Sequence, residues 1–136
     1  MLLHKYLSNR IWWCNLFYEE CNYILRINRG DDFLFTLYLN KGNEVYPQRY
    51  VLQENDKIYL GVMQPNQLFE NAILKKVFTV NDLNEEGDIV IKLSSEDTFR
   101  LLEGKYYYEI KACFYNNNNP IIKTVVSRNQ LFIQGW

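Results

Sequence analysis

Three pairs of neighbouring carboxylates are the residues of this 136-residue chain best suited to acid–base chemistry: Asp31 with Asp32, Glu85 with Glu86, and Glu96 with Asp97. Glycoside hydrolysis needs two such groups about 5–10 Å apart across a polar cleft. Neighbours in a strand point to opposite faces, and the other pairs fall in segments that read as a loop and a helix start. None of them converges on a cleft with other polar groups. Nucleophilic catalysis by Ser or Cys needs a base within hydrogen-bond reach, and His4, in the N-terminal segment, is the single histidine. No GxSxG and no phosphate-cradling glycine loop occurs. The chain reads as no enzyme, with no catalytic residue and no cofactor.

Metal sites fare no better. A structural zinc takes four Cys or His ligands, and Cys14, Cys21 and Cys113 form no CxxC pair. They read as reduced thiols behaving as small hydrophobes, which fits synthesis in a reducing cytosol. The segment Asn81-Asp82-Leu83-Asn84-Glu85-Glu86-Gly87-Asp88 has the oxygens for calcium but not the spacing of an EF-hand loop. It reads as a solvated acidic loop, and no metal is expected. Arg29-Gly30-Asp31 spells an integrin-recognition tripeptide, yet it lies between two strand-like runs. There Gly30 supplies a turn and Asp31 satisfies backbone donors.

The formal charge is −1 with Lys and Arg dispersed, so the basic stripe of a nucleic-acid binder is missing. The start, MLLHKYLSNRIWW, is broken by polar residues and has no signal-peptide cleavage pattern. No window approaches the roughly eighteen apolar residues of a membrane helix. A soluble protein without membrane insertion is expected.

These side chains must be held by strands. Aromatic residues make up 16% of the chain, including eleven Tyr and eight Phe, and such residues favour pleated, half-buried surfaces. Phe33, Phe35, Leu37 and Leu39 alternate with Leu34, Thr36 and Tyr38. Ile58, Leu60 and Val62 form another inner set, as do Ile89, Ile91 and Leu93. Tyr106, Tyr108, Ile110, Ala112 and Phe114 line one face of a long strand. Further strand signals lie at Tyr23–Ile27, Tyr50–Leu52, Ala72–Val80, Ile121–Ser127 and Leu131–Ile133, with a loop tip at Asn116–Asn119. Ser94, followed by Glu96 and Asp97, marks one short helical turn. The expected fold is all-β, an antiparallel Ig-like β-sandwich of about seven or eight strands over residues 22–136.

Residues 1–21 differ. Leu3, Leu7, Ile11, Cys14 and Tyr18 keep helical spacing, but Trp12, Trp13, Leu16 and Phe17 make the rest apolar too. The segment reads as a helix or an extended arm. The three Trp stand at the chain's two ends, Trp12 and Trp13 near the start and Trp136 last. Aromatics of this kind are enriched at protein interfaces. Trp12, Trp13, Phe17 and Trp136 are therefore the candidate partner-binding residues. The alternative is that they fold back on their own domain.

Taken together, Arg29-Gly30-Asp31-Asp32-Phe33, then Ser94-Ser95-Glu96-Asp97-Thr98, then Leu102 to Ile110 (LEGKYYYEI), with Thr124-Val125-Val126 near the end, resemble the small domain found at the N-terminus of phage baseplate upper proteins and in related short phage proteins. The resemblance covers about residues 23–134. It departs from that family at Ser127-Arg128-Asn129-Gln130, where a glycine is usual, and over residues 1–21, which have no counterpart. It implies a non-enzymatic virion protein of the tail, baseplate or neck, made in the host cytoplasm and assembled with other phage structural proteins and itself. In that reading Asp31, Asp97, Thr98, Gly104 and Tyr108 define the fold and form no site. The same architecture also carries carbohydrate-binding modules, so exposed Tyr107 and Tyr115 beside Asn116–Asn119 offer an alternative role in glycan attachment.

Overall fold

Alternating apolar residues build the core strands because each inward side chain gains roughly 1.5–3 kcal/mol on burial. The computed structural model describes residues 11–15, 24–40, 48–116 and 118–135, with backbone alone for 11–15, 40 and 116. The chain is mostly β. Its elements are β1 (Ile11–Asn15), β2 (Leu25–Asn28), β3 (Phe33–Asn40), β4 (Lys57–Met63), β5 (Leu74–Phe78), β6 (Ile89–Leu93), α1 (Ser95–Arg100), β7 (Gly104–Asn116) and β8 (Asn119–Gln134). Single 3-10 turns lie at Phe69–Asn71 and Val80–Asp82.

A curled five-stranded sheet has the order β2-β8-β7-β4-β5. A smaller sheet is built on the β3–β6 pair, with β1 added along the other edge of β3. The inward sets expected in β3, β4, β6 and β7 are all buried and merge in one core with Leu131 and Ile133 of β8. Tyr108, Ile110, Ile58 and Val62 have no measurable exposure.

Three expectations need correction. Not every pair is antiparallel: β1 runs parallel to β3, and β2 parallel to β8. The chain changes sheet between β2 and β3 at a tight turn, so each early strand lies beside one running its own way. Tyr50–Leu52 is not a strand. Asp56, only 2% exposed, accepts hydrogen bonds from the Tyr50 hydroxyl and, at 2.8 Å, from Gln53 N–H, and so folds this segment into a turn. Finally, residues 121–133 do not divide into two strands but belong to the single strand β8, whose pairing with β7 shifts register between Tyr108 and Lys111. Extra residues on β8 make a bulge, which bends a sheet and increases its twist. That explains why Val125 and Val126, consecutive in sequence, are both fully buried.

Of residues 1–21, only 11–15 are described, and these are extended. They share a sheet with β3, so hydrogen bonding crosses the boundary expected at residue 22.

Candidate functional site

The turn at 29–32 and α1, far apart in sequence, hold each other. Ser94 caps α1 reciprocally: its Oγ accepts from Asp97 N–H at 3.2 Å, and the Asp97 carboxylate accepts from Ser94 N–H at 2.9 Å. The hydroxyl of Thr98, wholly buried, accepts from Gly30 N–H at 3.0 Å and donates to the Asp31 carbonyl at 2.8 Å. Asp32 Oδ1 accepts from Ser95 N–H at 2.7 Å. Arg29 donates through Nε to the Phe99 carbonyl at 2.9 Å, and its guanidinium lies 4.5 Å from the Phe99 ring centre. Gly30 sits at φ 89°, where a side chain is strained. Arg29, the first residue of the integrin-like tripeptide, is thus engaged inside the fold. The hollow beside it, lined by Gly30, Ser95, Glu96, Phe99 and Arg100, is shallow and open.

Burial opposes ionisation of Asp97, but the Lys76 ammonium 2.9 Å away and the Ser94 hydrogen bonds outweigh it. They hold the carboxyl below the usual carboxylate range. Burial, with Asp56 adding to it, pushes the Tyr50 hydroxyl up.

In the acidic loop, Asp82, Asn84 and Asp88 likewise use side-chain oxygens within the fold. Asn84 Oδ1 accepts from Glu86 N–H and Asp88 N–H at 3.0 and 2.9 Å. Asp88 pairs with Arg49 at 2.5 Å, and Asp82 accepts from Thr79 N–H at 2.8 Å. Among the described residues no group of three or more His, Cys, Asp or Glu is placed to hold a metal ion.

The outward face of β7 is different in kind. Tyr107 is half-buried, with the Arg128 guanidinium 4.7 Å and the Lys105 ammonium 5.4 Å from its ring centre. Arg128 rises from the bulged part of β8 and donates to the carbonyls of Gln67, Pro65 and Gln64 at 2.8, 3.0 and 3.3 Å. Glu109 lies 4.0 Å from Arg128 and 3.7 Å from Lys111, which sits over the Phe69 ring and bonds Thr124 Oγ1 at 3.2 Å. Phe69 covers Gly61 so closely that a Cβ there would meet its ring at 2.7 Å. Sequence reading meets Arg128 only as a departure from the phage-like pattern and gives it no role, since an arginine inside an irregular run carries no periodic signal.

Tyr115 and Ile122 stay exposed at the hairpin end of the same face. Tyr107 and Tyr115 are eight positions apart on one strand, roughly 26 Å at 3.3 Å per residue, too far to stack on one sugar ring. Tyr107 also has cations over its ring, whereas Tyr115 is open.

Of the candidate contact residues, Trp12 aligns with Leu37 and Trp13 with Tyr38 in the β1–β3 register. Both positions belong to the strand β1 along the edge of β3. Phe17 and Trp136 lie outside the described residues. No family model matches the chain, and no curated protein matches it.

Proposed function

We propose that this chain is a non-enzymatic structural or adaptor protein of a bacteriophage particle, in the tail, baseplate or neck, working through contacts with other virion proteins and with itself. The observation that carries the reading is the interlock of turn 29–32 with α1. The two most distinctive stretches of the phage-like pattern, RGDD and SSEDT, are joined through Thr98, Asp32 and Arg29. Residues that define a fold behave in this way, and the resemblance assigns that role to Thr98, Asp31 and Asp97 among them. The Asp32 and Asp97 carboxylates serve as anchor and cap, which supports a role without catalysis.

We also infer an Ig-like sandwich as the finer architecture. Its support is the single core shared by both sheets and the Tyr106 hydroxyl, which donates to the Leu102 carbonyl at 2.8 Å. That bond is the one a tyrosine corner makes to backbone a few residues upstream.

The test is quantitative protein analysis of purified particles made by the genome that encodes the chain. Several copies per particle, retained through density-gradient purification, are expected. Absence from the particles defeats the reading. Glycan-array binding abolished by Tyr115→Ala would favour the carbohydrate module instead.

A further inference from the structure

We infer that the hairpin half of the large sheet's outer face is a docking surface for an acidic segment of a partner protein, one whose apolar side chains are flanked by carboxylates. The inference rests on the adaptor reading and names its contact face and the chemistry of the partner.

Lys and Arg are dispersed in the sequence and the formal charge is −1, yet the fold gathers cations on one side of this sheet. The inward positions of β4 and β7 form the core, so Lys57, Lys105 and Lys111 take outward ones. Lys75, aligned with Gly61, joins them from β5, and Arg128 lies over Tyr107 on the same face. Among the described residues, Glu109 is the one carboxylate at an outward strand position of this sheet. It is already flanked by Lys111 and Arg128. Lys57 and Lys75 are exposed and have no described carboxylate within ion-pair distance. Lys75 donates to the Glu70 carbonyl at 2.5 Å, which leaves its charge unneutralised.

Between these cations the face is apolar. The register sets Val77 beside Tyr59 and Ile122 beside Cys113, with Tyr115 two positions further along β7. Val77, Tyr115 and Ile122 are all exposed, Ile122 by 67%. Val77 and Ile122 stand three strand spacings apart, roughly 14 Å. Open apolar groups ringed by unpaired cations select one kind of occupant. Its carboxylates answer Lys57 and Lys75, and its apolar groups cover Val77, Tyr115 and Ile122. A nucleic acid fits less well, because phosphates follow cations and bases stack on rings, and neither covers the aliphatic Val77 and Ile122. A second copy offering the same face would set lysine against lysine.

Site-specific cross-linking tests this with the full chain, in cells replicating the genome that encodes it. A photo-reactive benzophenone side chain is placed at position 122 or, as control, at the exposed position 102, beyond the opposite end of β7. The expected result is an adduct from position 122, missing from position 102, that maps to a segment of a different protein in which Asp and Glu flank apolar residues. Lys57→Glu should reduce that adduct about fivefold, and Lys57→Arg should preserve it. Thermal unfolding of both variants checks that the fold is intact. No adduct from position 122, an adduct to nucleic acid, to a second copy or to a segment without carboxylates, or one indifferent to Lys57→Glu overturns the inference. Particle content is measured separately: a chain present in particles without the adduct loses only this face, and a chain missing from particles loses the virion reading while the adduct still reports on the face.

Discussion

The network joining turn 29–32 to α1 and the network around Arg128 share backbone carbonyls, a threonine hydroxyl, cations and carboxylates, with Asp32 and Asp97 in the first and Glu109 in the second. They differ in access to water. Thr98 and Asp97 are 0% and 7% exposed, whereas the Arg128 side chain keeps 31% of its surface in solvent. A buried polar group that loses its partner carries the full desolvation penalty, while an exposed one turns to water. The first network should specify the fold and the second should tune a surface.

The sharpest way to break this contrast is Thr98→Val, which takes the buried hydroxyl partner away from Gly30 N–H and the Asp31 carbonyl in a partly buried setting. A loss of about 2–3 kcal/mol in urea unfolding is expected. Loss below that of an exposed polar substitution would show the clamp to be dispensable.

Asp97→Asn comes next, at about 1–2 kcal/mol, because the amide keeps the shape but loses the charged bonds to Lys76 and Ser94. Its pH dependence has a definite sign. The folded carboxyl is held below its usual value, so its contribution is complete above about pH 4 and disappears as pH falls through the lowered value. The stability gap between wild type and Asp97→Asn should therefore close in acid. A gap that widens there would contradict the assignment.

Tyr106→Phe removes one half-shielded bond to Leu102 and should cost about 1 kcal/mol by thermal denaturation. Arg128→Ala should cost the least, about 0.5 kcal/mol, while loosening residues 64–68 in amide hydrogen exchange. A larger loss would mean that the outer face also holds the fold together.

Both halves of the buried clamp were visible in sequence, as a turn with Gly30 and as a Ser94 cap. Their partnership was not, because 68 residues separate Gly30 from Thr98 and pairing at that range leaves no local trace. The inner faces of β3, β4, β6 and β7 were legible for the opposite reason: period-two burial is written into each strand separately. Tyr50–Leu52 misled because an aromatic and two aliphatics resemble a strand, whereas the deciding residue, Asp56, is a polar group that folds the segment back. The parallel neighbours of β1 and β2 and the bulge in β8 belong to chain topology and register, which composition does not encode. Of the contact residues that the sequence singles out, Trp12 and Trp13 are placed by backbone register beside Leu37 and Tyr38 of β3, and Phe17 and Trp136 lie outside the described residues.

Position 61 settles where a visitor can land on the large sheet. Because that residue has no side chain, the Phe69 ring lies flush on the centre of the outer face, and Lys111 closes over it. The middle of the sheet is thus covered by the chain's own loop, while Tyr115 and Ile122 at the hairpin end and Val77 on the edge strand β5 stay open. A single methyl group, introduced by Gly61→Ala, would lift that seal and redraw the map of accessible surface without touching the core.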